Sequence, residues 1–309
     1  MSKIDESDEK EPTFRTDFDP AYGAAIAVAP DILRVTANNP SAFTFKGTNS
    51  YVLGSDRECF VIDPGPDDDA HSDALIAAIG ERTVESVILT HSHRDHAALA
   101  ADFRQRVDAP LLGMTARPRG DDGGVGLDAA AETGLAFDRV LQDGEVLDLA
   151  GRRLEVVATP GHASDHIALA LPEAGVLFSG DHVMAWSTPV VAPPDGVMRD
   201  YMSSLRKLLT RSEGRYLPGH GGPVERPIPF VRGLIRHRTM REAAIVKRIE
   251  AGDRTIPQIV AAIYQGLDPR LHGAAGLSVK AHLDDLEERG RIVCETDGPL
   301  QDRHYRPAD

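Results

Sequence analysis

Cysteine is scarce in this sequence, and long apolar runs are missing. Only two cysteines occur, Cys59 and Cys294, and neither has the paired spacing of a zinc knuckle or a redox motif, so we interpret both as ordinary thiols. No stretch approaches the roughly 18 consecutive apolar residues of a transmembrane helix. The early apolar run 24–29 is short and follows acidic residues, unlike a secretory signal. We therefore expect a cytoplasmic protein with no membrane partner.

Positive charge is also in short supply. The chain has 34 Lys and Arg against 48 Asp and Glu, a formal net charge of -14. Residues 1–230 contain 36 acidic and 21 basic side chains, so this part carries the whole excess of negative charge. Affinity for nucleic acid depends largely on neutralising phosphates, so the acidity disfavours such a partner, although a local basic groove could still bind one.

The length of 309 residues, of which 41% are hydrophobic, allows one large core and a small second domain. Residues 1–19 are crowded with acidic side chains and offer little to bury, which predicts a disordered acidic tail. We expect the main domain over 20–229, a linker helix over 230–254 and a small domain over 255–309.

The main domain begins with β-prone runs at 32–35, 50–53 and 59–62, separated by Asn, Gly and Asp, which predicts an antiparallel meander. Residues 69–79 have helical spacing, and the apolar run 84–89 is typical of a buried strand.

Further strands are predicted at 153–158, 166–170 and 175–178, with a helix at 199–210. Strands that occur both in antiparallel runs and between helices indicate a layered α/β fold, with the chemistry on loops at strand ends.

The C-terminal part begins with a long predicted helix over 229–251. Two short helices at 255–264 and 278–289 follow, and then a strand at 292–295. This order resembles a winged helix.

A cluster of metal-binding side chain types follows the buried strand at 84–89. It is the run Thr90-His91-Ser92-His93-Arg94-Asp95-His96. A single histidine is more often structural or solvated than a ligand. If the loop opens into a helix at Asp95, however, His91 and His93 can face one point while Asp95 and His96 reach a second. Imidazole and carboxylate are ligands that zinc prefers.

Three later segments place a further candidate ligand after a glycine at the end of a predicted strand. They are Thr159-Pro160-Gly161-His162, Ser179-Gly180-Asp181-His182 and Leu217-Pro218-Gly219-His220. Three repeats of one arrangement favour a common site.

With these motifs the sequence resembles the metallo-β-lactamase superfamily over about residues 47–222. The resemblance implies an αββα sandwich and two divalent metal ions, with zinc the expected metal. It assigns one metal to His91, His93 and His162, the second to Asp95, His96 and His220, and a bridging role to Asp181. The subclass with a cysteine ligand fits poorly, since neither cysteine lies in a ligand motif, so β-lactamase activity is not expected.

This ligand set predicts the chemistry. Two neighbouring metal ions can share a hydroxide, because bound water is acidified from a pKa of ~15.7 to about 7. That hydroxide would attack the substrate while the metals stabilise the developing charge. Asp95 could orient it and accept its proton, which makes Asp95 the catalytic candidate.

Neighbouring residues have competing interpretations. Asp63 is expected to orient a histidine through its ring N–H. His166 could be a pocket-wall or a structural histidine, and the same holds for His182. Trp186, in the segment 183–197 that should overhang the metals, could line a substrate pocket or only pack its loop. Tyr201 is a weaker candidate for a substrate contact.

One branch of the superfamily resembles this chain beyond the core, the lactamase-beta-like protein 2 branch, in which a helix leads into a winged helix. The resemblance rests on the runs 47–51, 94–96, 161–166 and 200–205 and on the motif His237-Arg238-x-x-Arg241-Glu242. The segment 185–194 departs from it, being richer in proline and apolar residues.

The resemblance leaves the substrate open. The human member of that branch is associated with cleavage of single-stranded RNA, while more distant relatives hydrolyse thioesters or lactones. Since the acidic main domain suits a small acyl substrate better than a polyanion, we expect hydrolysis of an ester, thioester or related acyl bond. Single-stranded RNA cleavage is the alternative.

A different class of function is a DNA-binding winged helix with a non-catalytic metal site. The second predicted helix, 278–289, argues against it, because the charged residues of 277–290 are mostly acidic: Asp284, Asp285, Glu287 and Glu288 against Lys280 and Arg289. A structural, substrate-capping or homodimer-forming role fits this domain better.

Overall fold

The computed structural model describes residues 11–116, 131–132, 134–268, 271–296 and 298–308. Within these ranges the main domain is built on two β-sheets that pack face to face, with helices on both outer sides.

The first sheet has seven strands in chain order, and its first four are antiparallel while the rest join in parallel. The strands are β1 (Ala25–Ala29), β2 (Ile32–Thr36), β3 (Asn49–Gly54), β4 (Glu58–Ile62), β5 (Thr83–Ile88), β6 (Leu111–Gly113) and β7 (Arg139–Val140).

The second sheet has five strands, and it too places strands that follow one another in the chain side by side. They are β8 (Val146–Leu149), β9 (Arg152–Ala158), β10 (Ile167–Leu171), β11 (Val176–Gly180) and β12 (Arg215–Pro218). The pairing is antiparallel except between β11 and β12, which run parallel.

Helices cover the outer faces of both sheets. They are α1 (Asp69–Ile79), α2 (Arg94–Ala97), α3 (Ala100–Arg106), α4 (Met198–Leu208) and α5 (Pro227–Glu250). Helices α1 and α3 pack on the first sheet, whereas α4 and the first part of α5 pack on the second. The order of layers is therefore helix, sheet, sheet, helix, as the resemblance implied.

The inner faces of the two sheets meet in the main apolar core. Tyr51 and Phe60 of the first sheet lie in one cluster with Val156, Leu169 and Phe178 of the second. Because neighbouring residues of a strand point to opposite faces, residues such as Val52 and Val157 belong instead to the clusters under the helices.

A second, smaller core holds the C-terminal domain together. It contains α6 (Ile256–Ile263), α7 (His272–Glu288) and the antiparallel strands β13 (Ile292–Cys294) and β14 (Tyr305–Pro307). Ile245 and Ile249 from the end of α5 complete this core. Helix α5 therefore belongs to both cores and does not simply leave the main domain.

Several expectations needed correction. The predicted disordered tail includes residues 11–19, but Phe18 is buried and the amide of Arg15 donates a hydrogen bond to the carbonyl of Ala185 (2.8 Å), so the tail contacts the main domain at these two residues. Its first ten residues lie outside the described ranges. Helix α7 starts at His272, earlier than the predicted 278.

No described helix is long and apolar enough to cross a membrane.

A core substitution tests the face-to-face packing of the sheets. Leu169→Ala removes a fully buried side chain between them and should lower the free energy of unfolding by about 2–5 kcal/mol. Met240→Ala, on the exposed face of α5 (52% exposed), should change it by no more than about 0.5 kcal/mol. Urea unfolding followed by circular dichroism measures both, and equal losses would contradict this core.

Candidate metal centre

Polar side chains gather where strands of both sheets end at one edge of the sandwich. Strands β4 and β5 are parallel, as are β11 and β12, so the carboxyl ends of each pair meet at the same edge. The residues that follow the ends of β4, β5, β9, β11 and β12 bring Asp63, His91, His162, Asp181 and His220 together. The short helix α2 starts just after His93 and carries Asp95 and His96.

Glycine precedes His162 and His220 for a steric reason. A Cβ atom at Gly161 would lie 2.3 Å from the backbone of Tyr201, and one at Gly219 would lie 2.5 Å from Oδ1 of Asp181. Larger residues would push the ligand loops apart. Gly161 therefore allows the loop before His162 to pack against α4, and Gly219 allows the loop before His220 to approach Asp181 closely.

The first group of donor atoms consists of His91, His93 and His162, whose ligand atoms lie within 4.8 Å of one another. Nδ1 of His93 lies 3.0 Å from Nε2 of His91 and 2.9 Å from Nε2 of His162. All three rings are almost fully buried.

The second group consists of Asp95, His96, Asp181 and His220. Nε2 of His220 lies 3.3 Å from Nε2 of His96, 3.1 Å from Oδ2 of Asp95 and 3.2 Å from Oδ2 of Asp181. Oδ2 of Asp181 also lies 3.7 Å from Nε2 of His162. Asp181 is thus placed between the two groups.

The spacing and chemistry of these donors fit divalent metal ions. A tetrahedral ion with metal–nitrogen distances of ~2.0–2.1 Å keeps its ligand atoms roughly 3.3 Å apart, close to the separations within each group. Oδ1 of Asp181 is buried and accepts no hydrogen bond from the described residues. Buried carboxylates that face ring nitrogens favour positive charge between them, which a metal ion can supply.

Burial keeps His91 and His93 of the first group neutral. It lowers the pKa of His91 far below its usual value and that of His93 to about 3, and neighbouring histidines add to the effect. Neutral imidazoles are the form that binds metal.

Carboxylates dominate the second group. Burial lowers the pKa of His96 and His220, but Asp95 and Asp181 outweigh it, raising the pKa of His96 well above its usual range and that of His220 to about 9. The same histidines hold the pKa of both carboxyls well below the usual value, against the effect of burial. This group therefore attracts positive charge.

Asp63 lies next to the second donor group and hydrogen-bonds to His96. Its Oδ2 accepts hydrogen bonds from Nδ1 of His96 (3.0 Å) and from Oγ1 of Thr90 (2.7 Å), while Oδ1 accepts from the amide of Thr90 (2.7 Å). Oγ1 of Thr90 also lies 3.0 Å from Nδ1 of His91. Asp63 thus turns Nε2 of His96 toward the second group.

His166 and His182 lie outside the two donor groups. Nε2 of His166 accepts a hydrogen bond from the amide of Asp181 (3.0 Å), and its Nδ1 donates to Oγ1 of Thr159 (2.8 Å), so His166 positions the backbone of Asp181. His182 is fully buried and packs on the ring of Tyr201, with ring centres 4.6 Å apart. Both are structural histidines in this geometry.

Tyr201 is not placed to contact a substrate. Its side chain is fully buried in the core under α4, and its hydroxyl donates to the carbonyl of His182 (3.2 Å). Trp186 is half-buried and stacks on Phe45, with ring centres 4.8 Å apart. Trp186 therefore packs its loop, and a substrate contact by its exposed part stays a prediction.

Sequence reasoning missed two contributions from the segment 183–197. The carbonyl of Val190 accepts a hydrogen bond from Nδ1 of His162 (2.6 Å), and Oδ2 of Asp195 lies 4.0 Å from Nε2 of His93. Thr48 was missed as well, with Oγ1 3.4 Å from Oδ2 of Asp95. A backbone acceptor leaves no signal in a sequence, although the acidic residue in the overhanging loop could have been noted.

Comparison with known proteins agrees with this geometry. Residues 43–220 match the metallo-beta-lactamase superfamily, and residues 255–301 match the beta-lactamase associated winged helix domain. A Beta-lactamase-like protein 2 homolog of Drosophila melanogaster is 30% identical over 299 residues, covering 92% of this chain and 97% of the relative.

Two further relatives extend the comparison. An atrochrysone carboxyl ACP thioesterase of Aspergillus terreus is 26% identical over 263 residues, covering 80% of this chain and 76% of the relative. The crystal structure of a beta-lactamase domain protein from Burkholderia ambifaria has a TM-score of 0.77 at 23% identity, covering 94% of this chain and 96% of the other, and shows the shared fold. The chain therefore belongs to the metallo-beta-lactamase superfamily, with the associated winged helix domain following its sandwich.

Proposed function

We propose that this protein is a dinuclear zinc hydrolase that cleaves an ester, thioester or related acyl bond. The observation that carries the proposal is the pair of adjacent donor groups with Asp181 between them. The first metal would be held by His91, His93 and His162, and the second by Asp95, His96 and His220, with Asp181 shared.

Bound there, the metal ions would supply a hydroxide nucleophile at neutral pH and would polarise the substrate oxygen. The protein's own residues prepare the site. The side chain of Asp95 is 20% exposed, and its ionised carboxylate is placed to orient the nucleophile by accepting a hydrogen bond from it. The buried histidines exclude bulk water from the donor atoms, which strengthens electrostatic interactions there.

An acyl substrate is supported by two observations. The main domain is strongly acidic, which disfavours long polyanions. In addition, a relative at 26% identity is named as a thioesterase that acts on an acyl carrier protein. We infer that a neutral acyl group linked through sulfur or oxygen is the bond cleaved.

DNA binding by the winged helix has less support. The acidic face of α7 lies against the main domain, where Asp285 is 3.4 Å from Nε of Arg199 and Glu288 forms an ion pair with the same guanidinium. A helix occupied in this way is poorly placed to enter a DNA groove.

Removing one ligand tests the metal centre. His93→Ala should lower the metal content and reduce hydrolysis by about 100-fold or more, since metal ions supply several kcal/mol of transition-state stabilisation. Elemental analysis and an acyl-hydrolysis assay on the same sample measure both effects. His304→Ala, an exposed histidine of the winged helix domain, is the matched control and should keep both values. Full hydrolysis by a metal-free His93→Ala protein would overturn the mechanism.

A substrate panel separates the acyl proposal from its alternative, cleavage of single-stranded RNA. The zinc-loaded protein should hydrolyse thioesters or lactones, and a chelator should abolish the reaction. Rates with acyl thioesters, lactones and a labelled single-stranded RNA are measured side by side, with the His93→Ala protein as the blank. Cleavage of RNA alone would replace the acyl proposal with the nuclease.

A further inference from the structure

The proposed mechanism gives no role to the motif His237-Arg238-x-x-Arg241-Glu242 in α5. Its Arg238 is 3% exposed, and it forms no ion pair with a carboxylate of the described residues. Its Nη2 donates to the carbonyl of Pro189, and its guanidinium lies 5.3 Å from the ring centre of Tyr201. Burying a guanidinium without a neighbouring carboxylate costs free energy. The hydrogen bond from Arg238 to the Pro189 carbonyl therefore indicates what this buried side chain does.

The hydrogen bond from Arg238 to Pro189 holds the loop 183–197 over the proposed metal centre. Pro189 directly precedes Val190, whose carbonyl accepts the hydrogen bond from Nδ1 of His162 (2.6 Å). Since a carbonyl can only accept, the proton of His162 is on Nδ1, and Nε2 presents its lone pair to the first group. The position of this backbone therefore determines how His162 faces the metal.

Asp195 connects the loop 183–197 to the first donor group by a second set of contacts. Oδ1 of Asp195 accepts from the amide of Ser164 (3.0 Å), two residues beyond His162, and its Oδ2 lies 4.0 Å from Nε2 of His93. The loop between Arg238 and the centre thus touches two of the three donors in the first group.

The rest of the motif faces the winged helix domain. The guanidinium of Arg241 lies 4.3 Å from the ring centre of Tyr264 at the end of α6, and Glu242 accepts from Nη2 of Arg289 after α7 (2.6 Å). Within the described chain, Arg241 and Glu242 form no hydrogen bond or ion pair with the loop 183–197 or with a residue of the donor groups. Arg241 therefore offers a control in the same helix.

We propose that Arg238 is a positioning residue for the first metal site, which holds the Pro189–Val190 backbone so that His162 keeps its ligand orientation. The inference rests on the proposed metal centre. It assigns Arg238 no contact with substrate and places its effect in metal affinity and coordination geometry.

The test compares three full-length variants with the wild type. Arg238→Met should weaken zinc affinity by roughly 10-fold or more, since losing the partner that orients a metal-binding histidine typically costs 10–100-fold. Arg238→Lys should recover part of the affinity, because its ammonium can still donate to the Pro189 carbonyl. Arg241→Met should bind zinc like the wild type. Competition with a zinc chelator gives the affinities.

The visible spectrum of the cobalt-substituted proteins provides a readout independent of activity. It should change in Arg238→Met and stay unchanged in Arg241→Met. Wild-type affinity and spectrum in Arg238→Met would overturn the proposal, as would an equal loss in Arg241→Met, which would indicate general loosening of α5. If Arg238→Met does not fold, Arg238→Gln replaces it with the same expectations. A wild type that binds no metal would instead overturn the proposed function.

Discussion

The hydrogen bonds of one buried carboxylate, Asp63, set the direction of a histidine in each donor group. Asp63 accepts directly from Nδ1 of His96, and it accepts the hydroxyl proton of Thr90, whose oxygen is then free to accept from Nδ1 of His91. Both histidines therefore present Nε2 to the centre. Asp63 itself has a left-handed backbone, with φ of 51°, which costs a non-glycine residue about 1 kcal/mol or more.

Two further imidazoles depend on backbone carbonyls in the same way. Val190 orients His162, and the carbonyl of Gly47 lies 3.2 Å from Nδ1 of His220. Each of these ligands is thus fixed by a partner on a different element from its own. Ring nitrogens and carboxylates thus face one another at one point, and a metal cation bound there would displace the protons that the carboxylates otherwise hold on His96 and His220.

Much of this architecture could be predicted from the sequence, for identifiable reasons. Helix α1 has the predicted bounds because Asp68 caps its start, accepting from the amide of Ala70 (2.9 Å), and Gly80 ends it. The strands before the ligands were found because buried apolar runs end directly at His91 and Asp181. The candidate ligands could be grouped into one site from the sequence because each ligand motif follows the end of a predicted strand.

What could not be predicted has physical reasons as well. Strands β6 and β7 have three and two residues, too few to show a periodicity. The start of α7 was missed because Gly273 and Gly276 weaken its helical pattern, although Gly276 is close to Ile256, with 3.5 Å between its Cβ position and that side chain. The positions of Arg238 and Asp195 depend on how a loop folds over a distant helix, which residue spacing does not encode.

The central claim is that two metal ions share this one cluster of side chains. The most direct test is an anomalous difference map, measured above the zinc absorption edge from crystals of the zinc-loaded protein. The account predicts two peaks per chain, one among His91, His93 and His162 and one among Asp95, His96 and His220, both in contact with Asp181. A single peak in one group, or zinc only at other residues, would contradict the dinuclear centre.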